Sequence, residues 1–152
     1  MTYLTDDAVK KPLELFADFD VDTQLALLWY GYLDIKESLN PNPDYGTEEL
    51  GDTLVNYFDP LSKDDQLQAM RDIVEKKDTS ISRGYAALSP AAKLDVWLKL
   101  AQGMEGDRIV GMPEDYELPE STNAFTEEIK KLDFEQRINF TRNVVATMGY
   151  QG

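Results

Sequence analysis

The fold is indicated first by the stretch DTQLALLWYGYL, which occupies residues 22–33. Apolar side chains recur in it at positions i, i+3, i+4, i+7 and i+8, namely Leu25, Leu28, Trp29, Tyr32 and Leu33. This spacing places them on one face of an α-helix, because the helix repeats every 3.6 residues. We therefore predict an amphipathic helix over residues 22–39.

Helical spacing continues through most of the chain. Ser89 followed by Pro90 is typical of a helix start, because serine caps free amide groups and proline fits the first helical position. Asp133 and Gln136 resemble a capping box, and Gly149 suits the stop of the last helix. The predicted helices cover about 11–18, 22–39, 47–58, 62–76, 79–87 and 122–131, with two more beginning near 89 and 133. Strand signals are weak, so the predicted fold class is all-α, and the length predicts one domain over residues 1–152.

Composition excludes several classes of function. The 152 residues include no cysteine and no histidine, which makes triad hydrolases and zinc enzymes very poor candidates. The net charge of -14 repels phosphate backbones and anionic lipids, so neither nucleic acid nor a membrane is an expected partner. No apolar stretch approaches the ~18 residues of a membrane span, and the N-terminus does not resemble a signal peptide. The expected location is therefore the cytoplasm.

One metal-site pattern is present and fails on inspection. Asp18, Asp20 and Asp22 have the spacing that opens a calcium-binding EF-hand loop. Such a loop needs glycine at its sixth position and glutamate at its twelfth, where this chain has Thr23 and Trp29. We therefore predict no metal ligands and interpret Asp20 or Asp22 as a helix cap. No catalytic residues are predicted either, because paired carboxylates such as Asp64 and Asp65 are interpreted as solvated charge on polar faces.

The remaining candidates are apolar and aromatic. Trp29 and Tyr32 share one helix face, Trp97 lies mid-helix near Met104, and the long connection 106–121 contains several apolar side chains. Aromatic residues on helix faces are usually core, and a long apolar loop usually covers the core. The alternative is that these residues form the wall of a pocket. A pocket with few polar side chains would suit an apolar ligand.

Four segments, in order, resemble the N-terminal domain of the orange carotenoid protein and its stand-alone relatives, the helical carotenoid proteins of cyanobacteria. They are residues 22–33, residues 89–97 with the sequence SPAAKLDVW, residues 113–116 with the sequence PEDY, and residues 142–150 with the sequence RNVVATMGY. The likeness runs from about residue 12 onward. Leu98 departs from it, because the longer family members usually carry a tyrosine there.

The resemblance implies a fold of two interleaved, discontinuous four-helix bundles that form a carotenoid tunnel. It also implies non-covalent binding of a keto-carotenoid such as canthaxanthin or echinenone. The residues carried over are Leu25, Trp29 and Tyr32 for one wall, Met70, Trp97 and Met104 for another, and Met112, Pro113 and Tyr116 around an end ring. Arg142, with Asn143 beside it, corresponds to an arginine associated with docking to the phycobilisome antenna.

The function implied by the resemblance is photoprotection without bond-making chemistry, so we do not expect an enzyme. The bound pigment would quench singlet oxygen and, if the antenna docks, phycobilisome excitation near the thylakoid surface. A homologue of the family's C-terminal domain would be a carotenoid donor, and a monomer is the default state. Two alternatives stay open: a ligand-free helical domain for protein–protein interaction, and a carotenoid carrier.

Overall fold

The computed structural model describes residues 9–36, 49–112 and 116–150. In this part of the chain there are eight α-helices and no strand. The helices are α1 (Lys10–Ala17), α2 (Val21–Ile35), α3 (Glu49–Phe58), α4 (Lys63–Val74), α5 (Ser80–Ala86), α6 (Pro90–Glu105), α7 (Asn123–Lys130) and α8 (Phe134–Ala146), with a 3₁₀ turn at Glu120–Thr122. The all-α prediction is confirmed, and each predicted helix has a counterpart. Helix α2 ends at Ile35, and residues 37–39 of its predicted range lie outside the described residues.

Side-chain caps explain where several helices begin. The Asp20 carboxylate accepts a hydrogen bond from the Thr23 amide at 2.8 Å, and Ser89 Oγ accepts one from the Ala92 amide at 3.1 Å. At α8 the capping box is complete, because Asp133 and Gln136 each accept a hydrogen bond from the other's amide. These contacts satisfy amide groups that the first helical turn leaves free. The predicted caps at Asp20, Ser89 and Asp133 are therefore confirmed.

The chain forms two compact units, each built from two separate stretches of sequence. The first combines the described residues of Met1–Asn40 with those of Pro113–Val144, and so holds α1, α2, α7 and most of α8. The second combines the described residues of Pro41–Met112 with those of Val145–Gly152, and so holds α3 to α6. Each unit therefore has four helices and is discontinuous in sequence.

The core of the first unit is a cluster of phenylalanine rings. Phe16 lies 6.0 Å from Phe125 and 5.9 Å from Phe140, measured between ring centroids. Phe125 and Phe140 are 5.6 Å apart, and Phe19 meets Phe125 edge-on at 5.9 Å. Because the rings come from α1, α7 and α8, they hold the two sequence segments of this unit together.

The second unit is built around α6. This helix packs against α3, while α4 packs against α5. Six consecutive residues of α6, Ala92 to Trp97, are buried. A helix that is buried on every side is a central element rather than a surface helix.

The connection after α6 is also tied to the core. Ile109 is fully buried, and it lies so close to Gly103 that a Cβ there would approach Ile109 Cγ1 to 2.6 Å. The buried Gln66 side chain donates to the Phe58 and Arg108 carbonyls and accepts from the Val110 amide at 2.9 Å. The first part of this connection, residues 106–112, therefore covers the core of the second unit.

Candidate functional site

Helix α2 has apolar residues on two faces. Thr23, Ala26 and Leu27 form one buried stripe at i, i+3, i+4. A second stripe, at i, i+4, i+7, is formed by Leu25, Trp29 and Tyr32, and of these only Tyr32 is buried. The rings of Trp29 and Tyr32 stack with centroids 5.9 Å apart and planes 27° apart. The stacked rings of Trp29 and Tyr32 therefore form a flat, partly exposed aromatic surface on the first unit, which the core of that unit does not bury completely.

Among the predicted site residues of the second unit, the aromatic one is Trp97, on α6. Its indole N–H donates to the Tyr85 hydroxyl at 3.0 Å, and the two rings meet at 69° with centroids 6.4 Å apart. The Tyr85 hydroxyl in turn donates to the Val145 carbonyl at 2.6 Å. Burial raises the pKa of Tyr85 far above its ordinary value, so the phenol remains a hydrogen-bond donor.

Three methionines predicted for the site also lie in the second unit. Met70 of α4 is buried, whereas Met104 of α6 and Met112 in the following connection are half-buried. Methionine is flexible and polarisable, and it packs well against flat π systems. Tyr116 is half-buried and lies in the first unit, and Pro113 is outside the described residues.

The structure therefore assigns the predicted site residues to both units. Leu25, Trp29, Tyr32 and Tyr116 belong to the first unit, and Met70, Trp97, Met104 and Met112 to the second. Within the first unit, Trp29 and Tyr32 are brought into direct contact. Within the second, Trp97 contacts Tyr85, a residue that the sequence did not single out.

Two buried charged residues on α6 were missed as well. The Lys93 ammonium group donates to the Ala146 carbonyl at 3.0 Å and lies 5.7 Å from the centroid of the Tyr85 ring. Burial lowers the pKa of Lys93. Asp95 is also buried, with the Lys99 ammonium nitrogen 3.0 Å from its Oδ2. Neither carries a sequence signal, because a charged residue beside apolar ones on a helix ordinarily faces solvent.

The predicted antenna-docking pair lies on α8. Arg142 is exposed, and Asn143 is half-buried. The Asn143 side-chain amide donates to the Asn139 carbonyl at 2.9 Å, which is a contact within the helix. Arg142 is therefore the member of the pair that is accessible to a partner.

Two further features of the described residues concern other classes of function. Within residues 9–36, 49–112 and 116–150, no helix is both long and apolar enough to cross a bilayer. In the same part of the chain, no group of three or more His, Cys, Asp or Glu side chains is arranged as a metal site.

The fold of the described residues places the chain in the all-helical class of proteins, and comparison with known proteins identifies the family. The sequence model of the family "Orange carotenoid protein, N-terminal" matches residues 2–151. This chain belongs to that family, whose members bind carotenoids.

Individual relatives agree with this assignment. An orange carotenoid-binding domain-containing protein of Nostoc sp. PCC 7120 is 37% identical, over 95% of this chain and 85% of that protein. The orange carotenoid-binding protein of Synechocystis sp. PCC 6803 is 31% identical over 97% of this chain, which spans only 47% of that longer protein.

Solved structures are similar over the same range. The Red Carotenoid Protein of Anabaena (Nostoc) sp. PCC 7120, solved with canthaxanthin bound, has a TM-score of 0.81 and 35% identity. The match covers 94% of this chain and 99% of that one. The Orange Carotenoid Protein of the same organism, also solved with canthaxanthin, has a TM-score of 0.86 and 29% identity, over 95% of this chain and 46% of that one. The predicted family and fold class are thus confirmed.

Proposed function

We propose that this protein binds a keto-carotenoid, such as canthaxanthin or echinenone, non-covalently and uses it for photoprotection. One observation carries the proposal. A protein that matches 94% of this chain at 35% identity, the Red Carotenoid Protein, has been solved with canthaxanthin bound. The partly exposed aromatic surface on α2 supports it, because a polyene offers flat apolar area and few polar groups along its length.

The proposed pigment contacts are the residues that the family resemblance implies, considered for each unit by itself. In the first unit the proposed contacts are Leu25, Trp29, Tyr32 and Tyr116. In the second unit they are Met70, Trp97, Met104 and Met112, and Pro113 completes the set. Stacked or edge-on aromatic rings and methionine sulfur atoms both interact favourably with a conjugated system. No residue is assigned a catalytic role.

The proposed activity is the quenching of singlet oxygen. A long conjugated polyene has a low-lying triplet state, so it accepts energy from singlet oxygen and releases it as heat. The chain has no histidine or cysteine, so without the pigment only its tryptophans, tyrosines and methionines can react with singlet oxygen. The protein's role is therefore to keep the polyene in solution and to hold it in one conformation.

The proposed partners follow the same resemblance. Arg142, with Asn143 beside it, is the candidate contact for the phycobilisome antenna, and a homologue of the family's C-terminal domain is the candidate carotenoid donor. We propose that the protein acts as a monomer in the cytoplasm, near the thylakoid surface when the antenna is bound.

Colour tests the binding step. Co-production with canthaxanthin should give a coloured protein, and Trp29→Ala and Trp97→Ala should each weaken pigment retention about tenfold or more, as loss of a central aromatic contact does. Tyr57→Ala is the matched control, because Tyr57 is an exposed aromatic residue of the second unit, 54% accessible. A colourless wild-type protein would favour the interaction-domain alternative. Full colour in both folded tryptophan variants would show that neither tryptophan is needed for pigment binding and that both have only a packing role.

Singlet-oxygen suppression tests the activity. A photosensitiser and a singlet-oxygen spin probe are combined with coloured or pigment-free protein at equal concentration. The coloured form should suppress the signal far more, because the polyene accepts the energy much faster than the tryptophans, tyrosines and methionines react with singlet oxygen. Equal suppression by both forms would show that the protein is a carotenoid carrier rather than a quencher.

A further inference from the structure

Trp97 is held by a single chain of hydrogen bonds in the interior of the second unit. Its side chain is almost fully buried, so its indole N–H needs a partner inside the protein. The structure provides one in the Tyr85 hydroxyl, 3.0 Å away. An indole has only this one polar atom, so the bond selects one orientation of the ring among those that the apolar packing would tolerate.

Tyr85 is itself fixed in place. Its hydroxyl donates to the Val145 carbonyl at 2.6 Å, which leaves the oxygen lone pairs directed toward the indole. Its ring is fully buried, and the Lys93 ammonium group lies 5.7 Å from its centroid. On another side the backbone at Gly149 is so close that a Cβ there would lie 2.9 Å from Tyr85 Cδ1. Tyr85 thus acts as a rigid acceptor rather than a mobile one.

We propose that Tyr85 is the positioning residue for Trp97, and that its hydroxyl sets the orientation in which the indole meets the carotenoid. This inference rests on the proposed function and extends it to a residue that need not touch the pigment. Colour and affinity should therefore depend on a hydroxyl group behind the binding surface, since a conjugated chain absorbs according to the twist that its neighbours impose on it.

Tyr85→Phe removes that hydroxyl and keeps the ring. Tyr57→Phe is the matched control, because it makes the same chemical change on the exposed face of α3. Each variant is loaded with canthaxanthin, and the bound fraction is followed against increasing phosphatidylcholine liposomes that compete for the pigment. We expect Tyr85→Phe to retain canthaxanthin about three- to tenfold less well, as loss of one buried hydrogen bond does, and to shift the absorption maximum. Tyr57→Phe should match the wild-type protein in both.

A double-mutant cycle separates positioning from general packing. If Tyr85 acts through Trp97, Tyr85→Phe should change canthaxanthin retention little in a Trp97→Phe background, where no indole N–H remains. An equal loss in both backgrounds would overturn the inference. Trp97→Phe removes the same hydrogen bond from its other end and completes the cycle. If Tyr85→Phe proves too unstable to load, the pigment-free protein provides the test.

The pigment-free protein provides an independent readout. The chain has two tryptophans, so its indole ¹H–¹⁵N spectrum should contain two resonances, assigned with Trp29→Phe and Trp97→Phe. Tyr85→Phe should move the Trp97 resonance and accelerate its hydrogen exchange, and Tyr57→Phe should do neither. A colourless wild-type protein would refute the proposed function. An unmoved Trp97 resonance, or an unchanged spectrum and retention in coloured Tyr85→Phe, would refute the inference.

Discussion

At the scale of single residues, Asp95 is a buried carboxylate among the described residues. Its side chain is only 8% exposed, and it lies on α6 two positions before Trp97. The Lys99 ammonium nitrogen 3.0 Å away favours the charged carboxylate. Burial acts in the opposite direction and outweighs the ion pair, because it raises the pKa of Asp95 to about 6.

This raised pKa predicts a pH dependence of stability. Below about pH 4 the carboxyl is protonated in both the folded and the unfolded chain, and it costs nothing. Between about pH 4 and pH 6 the folded state holds the proton and the unfolded state releases it, so the free energy of unfolding falls as the pH rises. With the pKa of Asp95 raised to about 6, this contribution to the free energy of unfolding is about 3 kcal/mol at most.

Asp95→Asn should remove this contribution. We expect its free energy of unfolding, measured by urea denaturation from pH 4.8 to pH 7.5, to vary less with pH than that of the wild-type protein. Asp59→Asn, which changes an exposed aspartate of the same unit, should follow the wild-type curve. Parallel curves for wild type and Asp95→Asn would show that Asp95 is not the responsible group.

Residue-level features were predictable from the sequence where they depend on near neighbours. The caps at Asp20 and Ser89 and the box at Asp133 involve partners only three positions away, so their signal is local. The burial of Lys93 and Asp95 depends on helices that pack over α6 from other parts of the chain. A local pattern carries no information about such neighbours, and it assigns both charges to solvent.

At the scale of elements, the turn after α8 is the most constrained. The helix ends at Ala146, two residues before the predicted last position at Met148, and Gly149 then adopts φ +90°. Its amide donates to the Ile73 carbonyl at 2.9 Å, and the Tyr150 amide donates to the Ser82 carbonyl at 3.2 Å. A left-handed backbone at this point is what allows the segment to reach α4 and α5.

Gly149→Ala should therefore be strongly destabilising. A side chain at φ +90° is strained, and its Cβ would lie 2.9 Å from the Ala86 backbone nitrogen. We therefore expect the free energy of unfolding to fall by about 2 kcal/mol or more. Gly31→Ala is the control, because Gly31 is helical and has open space around a Cβ. This substitution should raise the free energy of unfolding by up to about 1 kcal/mol. Thermal unfolding of the pigment-free variants measures both. Equal effects of the two substitutions would contradict the role given to Gly149.

The positions of the helices were predictable because the 3.6-residue period and the caps agree along most of the chain. The two faces of α2 were not. Its sequence is apolar nearly all round, so the period could indicate a face but could not tell which stripe the core uses. The structure shows that Thr23, Ala26 and Leu27 pack inward, which leaves Leu25 and Trp29 half-exposed as the candidate binding surface.

At the scale of the whole molecule, the net charge of -14 governs encounters with partners. An acidic antenna surface repels such a protein, so we expect weak or no quenching of phycobilisome fluorescence at physiological salt. Added salt should increase any quenching, because it screens the repulsion.

Isolated phycobilisomes mixed with canthaxanthin-loaded protein test this expectation through their fluorescence. Arg142→Leu and Arg108→Leu remove the same charge from exposed arginines, and only the first lies in the proposed docking pair. Strong quenching that disappears in Arg142→Leu and persists in Arg108→Leu would show that the docking role holds despite the charge.

Helical periodicity alone could not have predicted how the helices are divided between the two units. It shows that a helix exists and which residues share a face, but α1 and α7 are more than a hundred residues apart and nothing local connects them. The prediction of discontinuous four-helix bundles came from the resemblance of four ordered segments to a known family. The ring contacts of Phe16 with Phe125 and Phe140 now provide its physical basis.

The discontinuous units have a consequence for biosynthesis. Chains are made from the N-terminus, so α4 and α5 leave the ribosome well before Gly149 and Tyr150, whose amides they bind, have been translated. Helix α1 likewise emerges long before α7, its packing partner. Neither unit can close while its own first segment is being made. The backbone contacts of Gly149 and Tyr150 that complete the second unit therefore form only after residue 150 has been added to the nascent chain.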